Sequence, residues 1–236
     1  MPEALPAQSH QGGPDHANLE ASYDLYEMRQ VRAGMSARST EVGKVDMGQL
    51  RTKNLKEDTL QLRRYTMSDA VTIYENLGCD PEMMRYTGWN PYFSPEATRK
   101  FVADVIQKYE TGEKEYSWLI TYKGEPVGTI GAYDYDAEQG CIEIGYSIFQ
   151  EYWGNGYASI ALKMVKDYLM QEEDIHVLKA WSADANIASK RVLEKAGFVQ
   201  TEVKEAAINV NGEQFDQAIY ETKELIDVAK KRKGFE

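Results

Sequence analysis

Apolar and polar positions begin to alternate at Thr59. In TLQLRRY, residues 59–65, Leu60 and Leu62 fall on one side of an extended chain, the two-residue period of a half-buried strand. After Ser68, a residue type that caps helices, the period lengthens, and Ile73, Tyr74 and Leu77 share one helical face. Ser94-Pro95 is a second helix start: a serine oxygen takes up a free amide of the first turn, and proline fills a position that needs no N–H. The helix it opens, over 96–110, repeats Phe101, Val102, Val105, Ile106 and Tyr109 at helical spacing. Strands are predicted over 116–123, 126–136 and 141–149, with Lys123-Gly124 turning the chain between the first two. A glycine turn then leads into a helix ending near residue 172, expected to be buried along Ile160, Ala161, Met164, Val165, Tyr168 and Leu169. The pattern closes with a strand over 175–183, a helix over 187–196 between Asn186 and Gly197, a strand over 198–206, an Asn211-Gly212 hairpin and a strand over 217–223. Hairpins followed by strand–helix–strand–helix–strand predict one α+β domain, a mixed sheet covered by helices.

Ahead of this pattern, residues 1–24 hold Pro, Gly, His, Gln and Ala without periodicity, the composition of a poorly ordered tail. The expected organisation is an N-terminal extension over 1–57, partly disordered, an ordered domain over 58–225 and a C-terminal tail over 226–236. A chain of 236 residues can bury one sizeable core. No stretch approaches the ~20 apolar residues of a membrane helix, and no apolar run follows a basic start, so the expected location is the cytoplasm. The net charge of −11 argues against duplex nucleic acid, whose phosphates need a basic face, and is compatible with a cationic acceptor. Cys79 and Cys141 sit in no CxxC and are expected as buried free thiols; with His10, His16 and His176 scattered, no metal site is expected. His176, in an apolar strand, is expected to be packed or capped.

Two segments carry candidate chemistry. In FQEYWGNGYAS, residues 149–159, a strand runs into Gly154 and Gly156 and a helix begins at once. Glycine lets a backbone approach a ligand closely, and the free amides of a helix start attract phosphate. A P-loop needs Gly-Lys-Ser/Thr, which is missing here. Two glycines at a strand-to-helix turn also fit a bare tight turn with no ligand. In DANIASKRVLEKAGF, residues 184–198, Asn186 and Ser189 open a helix that ends at Gly197-Phe198, which on its own is cap grammar.

Together and at this spacing, the two segments resemble the GNAT acetyltransferase family, and within it the branch that acetylates the N-termini of ribosomal proteins. The resemblance covers about residues 58–224. LQLRRYTMSDA is similar to the family's opening strand and helix, IEIGYSIFQEYWGNGYASIAL to its acetyl-CoA signature, and NIASKRVLEKAGF to its closing element. Gly156 and Ala158 fill the signature's glycine positions, while Trp153 stands where Arg or Gln is usual.

The resemblance implies the GNAT fold, a mixed, mostly antiparallel twisted sheet of about seven strands flanked by helices. It implies acetyl-CoA as acyl donor, no metal, and an amine acceptor, with a homodimer left open and neither nucleic acid nor membrane as partner. The expected donor contacts are Ser147, Ile148 and Phe149 along the pantetheine arm, and Trp153, Gly154, Asn155, Gly156, Tyr157, Ala158 and Ser159 around the pyrophosphate. Asn186 is expected beside the pantetheine or the turn, and Ser189 near the CoA sulfur; helix capping is the competing explanation for both. Glu143 matches a position where some relatives carry a carboxylate base, against the reading of an outward-facing strand carboxylate. Trp89, Tyr92 and Phe93 are the expected acceptor-side aromatics, or else packing. The expected function is acetylation of a primary amine, first a protein N-terminus. The alternatives are a small-molecule amine, such as a polyamine or an antibiotic, and a non-catalytic acyl-CoA sensor.

Overall fold

The computed structural model describes residues 51–86, 94–173, 175–210 and 212–222. Residues 1–50, Trp89, Tyr92, Phe93, Asn211 and the C-terminal tail, on which several of the expectations above fall, lie outside the described residues.

Eight strands form one sheet: β1 (Leu55–Glu57), β2 (Leu60–Arg63), β3 (Tyr116–Tyr122), β4 (Glu125–Asp136), β5 (Cys141–Ile148), β6 (Val177–Ala183), β7 (Phe198–Val210) and β8 (Glu213–Thr222). Their order across the sheet is β1-β2-β3-β4-β5-β6-β8-β7. Every neighbouring pair is antiparallel except β5 and β6. Among the described residues the α-helices are α1 (Asp69–Ile73), α2 (Pro81–Met84), α3 (Pro95–Lys108), α4 (Tyr157–Glu172) and α5 (Ile187–Lys195). α1 runs on into a wider π-helical turn over Tyr74–Gly78.

Strand alternation sorts side chains onto two layers. Tyr116, Trp118 and Ile120 of β3, Ile142 and Ile144 of β5, and Leu178 and Ala180 of β6 meet Ala161, Leu162, Val165 and Leu169 of α4 and Leu193 of α5. On the other face Leu119 meets Tyr65, Ala70, Ile73, Val102 and Val105, the apolar stripes of α1 and α3. α4 keeps the expected face with one correction: Ile160 is 36% exposed, because it lies beside the β1–β2 edge rather than over the sheet. The sheet also begins ahead of the readable alternation, with β1 pairing onto β2. Residues 51–53 are tied down there: Arg51 pairs with Glu173 at 2.8 Å, and the Trp118 indole donates to the Lys53 carbonyl at 2.7 Å.

Local grammar holds where it was read. Ser94 Oγ accepts from the Ala97 amide at 3.1 Å, Asn186 Oδ1 from the Ser189 amide at 3.1 Å, and Lys123 and Gly124 both take positive φ at their hairpin turn. Ser68 is the exception: it precedes α1 without a capping bond, and the first amides of α1 go instead to main-chain carbonyls, Asp69 N–H to Thr66 at 3.0 Å and Ala70 N–H to Met67 at 3.4 Å, while the Asp69 carboxylate takes the Thr66 amide at 2.7 Å and a two-pronged Arg63 bond at 2.7 and 2.8 Å. Cys141 is buried, but Cys79 is exposed, since it follows the short π-helical turn rather than a core strand. His176 is also exposed; it precedes β6, with its ring against Gly140. Among the described residues no helix is long and apolar enough to cross a membrane, and no His, Cys, Asp or Glu cluster could hold a metal ion.

Candidate functional site

After β5 the chain makes a single turn over Gln150–Tyr152, then bends through Gly154 and Gly156 into α4. Both glycines have left-handed backbones, φ +78° and +80°, which other residues adopt only at a cost of about 1–2 kcal/mol. Side chains within the segment hold this shape. The Trp153 indole N–H donates to the Ile148 carbonyl at 2.7 Å, and the Asn155 amide group donates to the Tyr152 carbonyl at 2.9 Å. The main-chain N–H of Trp153 is spent on Gln150 and that of Ser159 on Gly156. Those of Gly154, Asn155, Gly156, Tyr157 and Ala158 have no main-chain acceptor among the described residues. Residues 153–156 are exposed, and nothing lies within 4 Å of where a side chain would start at Gly154 or Gly156. Unpaired amides at a helix start, in open space, fit an anionic group such as a pyrophosphate.

Beside this turn the sheet opens. β5 and β6 run parallel, but they pair only from Cys141 to Glu143 against Val177 to Lys179. β5 continues to Ile148 and β6 to Ala183 without further pairing between them. The open edge of β5 therefore begins at Ile144, with Ser147 and Ile148 half-buried along it. Phe149 belongs to the core instead: its side chain is 1% exposed and its amide donates to Val127 at 2.9 Å.

The two faces of the sheet supply different groups at this opening. On the helix side, the Tyr146 hydroxyl donates to the Ser189 carbonyl at 3.2 Å and shares a 3.0 Å bond with Ser189 Oγ. Burial pushes the Tyr146 phenol well above its ordinary range, so it remains a donor at any working pH. Ser189 sits in the first turn of α5, placed there by the Asn186 cap. Lys190 is committed to Asp184 at 2.5 Å.

On the opposite face stands Glu143, the last residue of β5 to pair with β6. The indole N–H of Trp181, on β6, donates to Glu143 Oε1 at 3.0 Å. Trp181 in turn packs with Tyr86 and Phe215 against Ala183, Ile208 and Val210, an apolar patch between β6 and the β7–β8 hairpin. Tyr86 and Phe215 meet edge to face at 5.2 Å. The structure thus brings together Glu143, Ser189, Asn186 and the 153–159 turn around one opening. Tyr146 and Trp181 were missed by sequence reasoning. Each acts across some forty residues of chain, and no local pattern marks such a pair.

Residues 59–199 match the family described as the acetyltransferase (GNAT) domain. A similar protein is the uncharacterized N-acetyltransferase YoaA of Bacillus subtilis, 30% identical over 168 residues, which cover 70% of this chain and 94% of that one. Two solved structures share the fold. One is the Salmonella typhimurium acetyltransferase that modifies the N-terminal serine of ribosomal protein L7/L12, with TM-score 0.63, 22% identity, and 70% of this chain and 95% of that one covered. The other is the Vibrio cholerae spermidine N-acetyltransferase in complex with CoA and spermine, with TM-score 0.62, 20% identity, and 70% and 95% covered.

Proposed function

The chain belongs to the GNAT acetyltransferase family and is an N-acetyltransferase, and we propose that its acceptor is the N-terminal amine of a protein. The observation that carries the site is the opening between β5 and β6 beside an exposed turn of unpaired amides. Acetyl-CoA, the acyl donor, lies with its pyrophosphate on the amides of Gly154 to Ala158 and its pantetheine arm along the unpaired edge of β5. Main-chain N–H groups carry the recognition, which is how a protein of net charge −11 holds a polyanion.

The donor enters from the helix side and the acceptor from the face of Glu143. The acceptor ammonium gives a proton to the Glu143 carboxylate. Its nitrogen then bonds to the acetyl carbonyl carbon, the carbon–sulfur bond breaks with its electron pair leaving on sulfur, and the thiolate takes up the proton that the new amide nitrogen sheds. Ser189, beside Tyr146, is the hydroxyl on the sulfur side. Holding both reactants in register supplies on the order of 7 kcal/mol of the barrier reduction, and the base a further ~10²–10⁴-fold.

The character of the acceptor face favours a protein N-terminus. Beyond Glu143, the described residues of its wall include an apolar patch of Tyr86, Trp181, Ile208, Val210 and Phe215. One carboxylate beside an apolar wall suits a single ammonium next to a small side chain. A polyamine asks for a further anionic partner at each additional charge. Of two solved structures with this fold, one is described as modifying a protein N-terminal serine and the other as a spermidine N-acetyltransferase, so the panel that decides contains both kinds of acceptor. Purified protein and acetyl-CoA are offered peptides with a free N-terminal serine or alanine, the same peptides with a blocked terminus and an internal lysine, and spermidine. CoA thiol release is followed and products are mapped by mass spectrometry. Acetylation of the free α-amines is the expected result. Transfer confined to spermidine sinks the N-terminal reading, and acetyl-CoA binding with no turnover of any amine makes the protein a sensor.

A further inference from the structure

The Trp181 indole bridges the mouth of the opening from β6 to β5. It stands two residues beyond Lys179, the last residue of β6 to pair with β5, and on the same face as Glu143. Its N–H reaches Glu143 Oε1 at 3.0 Å. Its ring is wedged among Ala183, Ile208 and Val210, with Tyr86 and Phe215 alongside. A glutamate on a strand has three side-chain torsions to restrain before its carboxylate can serve a reaction. Here a partly buried aromatic ring, packed against an apolar cluster, donates to one of its oxygens.

From this geometry we propose that Trp181 is a positioning residue for transfer, fixing the Glu143 carboxylate at the mouth of the β5–β6 opening. The proposal rests on the reading of Glu143 as the base. The indole couples two structures that the chain builds far apart: the apolar acceptor wall of the β7–β8 hairpin and the proton acceptor on β5. An acceptor side chain pressing on that wall bears on the ring that aims the carboxylate. Among the described residues, Tyr133 on β4 and Lys179 on β6 are the titratable register partners of Glu143, and the Lys179 ammonium is bonded to Gln139 Oε1 at 3.1 Å.

Trp181→Phe keeps the ring and removes the donor. With whichever amine of the panel is turned over, kcat is expected to fall by about 10- to 100-fold, the scale of a hydrogen bond to a charged group, with acetyl-CoA affinity unchanged. The acid limb of the kcat/KM profile should move to higher pH, because an N–H donor favours the ionised carboxylate and its loss does the reverse. Glu143→Gln separates the two ideas. If it leaves turnover intact, the base assignment and this role for Trp181 fall together. If it is crippled while Trp181→Phe matches the parent in rate and pH profile, only the Trp181 proposal falls.

A second measurement needs neither an acceptor nor a folded Trp181 variant. The indole N–H signal of Trp181 in a nitrogen–proton correlation spectrum should move as pH is lowered through the Glu143 titration and stay still in Glu143→Gln. A signal that titrates identically in both proteins overturns the proposal.

Discussion

The two sides of the β5–β6 opening are built by opposite means. On the donor side, one unbroken stretch, residues 153–159, supplies the candidate phosphate contacts, and its shape is set by Gly154, Gly156 and side chains of the same turn. On the proposed acceptor side, Tyr86, Glu143, Trp181 and Phe215 come from four separate parts of the chain and meet because β5, β6 and β8 are neighbours. The first site is main chain held by local conformation. The second is side chain held by packing. A backbone site tolerates changes of side chain so long as φ survives, whereas a packed constellation moves when any member is resized. Donor recognition is therefore expected to be robust and acceptor recognition to be the adjustable half.

The sharpest way to break this division is at its chemistry. Glu143→Gln should lower kcat by roughly 10²–10⁴-fold while acetyl-CoA affinity, read by calorimetry, stays put. Loss of donor binding in that variant would mean the two sides are one site. Gly156→Glu is the mirror experiment. Its left-handed backbone and exposed amide make the position hostile to a bulky carboxylate, so acetyl-CoA should bind about 100-fold more weakly or not at all, with the fold retained by circular dichroism. Unchanged affinity would take the turn out of the site. Tyr146→Phe probes the joint between them. It removes a buried hydroxyl from Ser189 and should cost about 1–2 kcal/mol of stability, seen as a melting temperature lower by about 3–6 °C.

The smallest effect is a control that keeps the pH experiments honest. Burial alone would raise the Asp69 carboxyl, but hydrogen bonds from Arg63 and Thr66 outweigh it and hold the group below the ordinary carboxylate range. A carboxyl whose folded pKa is depressed contributes stability above its unfolded pKa of about 3.9 and loses it as pH falls through the folded value. Asp69→Asn should therefore be less stable than the parent near neutrality, by about 1 kcal/mol for this partly exposed pair, and the two should converge below about pH 4. An acid limb in activity well above pH 4 then does not come from this ion pair. Denaturant melts across pH check it; a constant gap between the two proteins would assign the pair no electrostatic role.

Most of the element order was legible before any coordinates. So was the local shape of the glycine turn and of the helix starts, because a left-handed glycine, a Ser-Pro helix start and an asparagine cap act within a few residues of themselves. Ile160 and Cys79 show the edge of that reach: helical period names the apolar positions of α4, but only the extent of the neighbouring strands decides which of them is covered. Glu143 was picked out by position in a family pattern, whereas its partner Trp181 lies in a strand whose period says only that it alternates.

For this protein, then, the order of residues set what each short segment does by itself: where the backbone turns left-handed, where helices start, which amides are left over. Tertiary structure alone decided that β5 and β6 part after three paired residues, that Tyr146 closes on Ser189, and that an indole from β6 holds the Glu143 carboxylate. The reason is one of range. Backbone torsion preferences belong to single residues, while strand neighbours and side-chain partners are chosen by burying apolar surface from the whole chain at once.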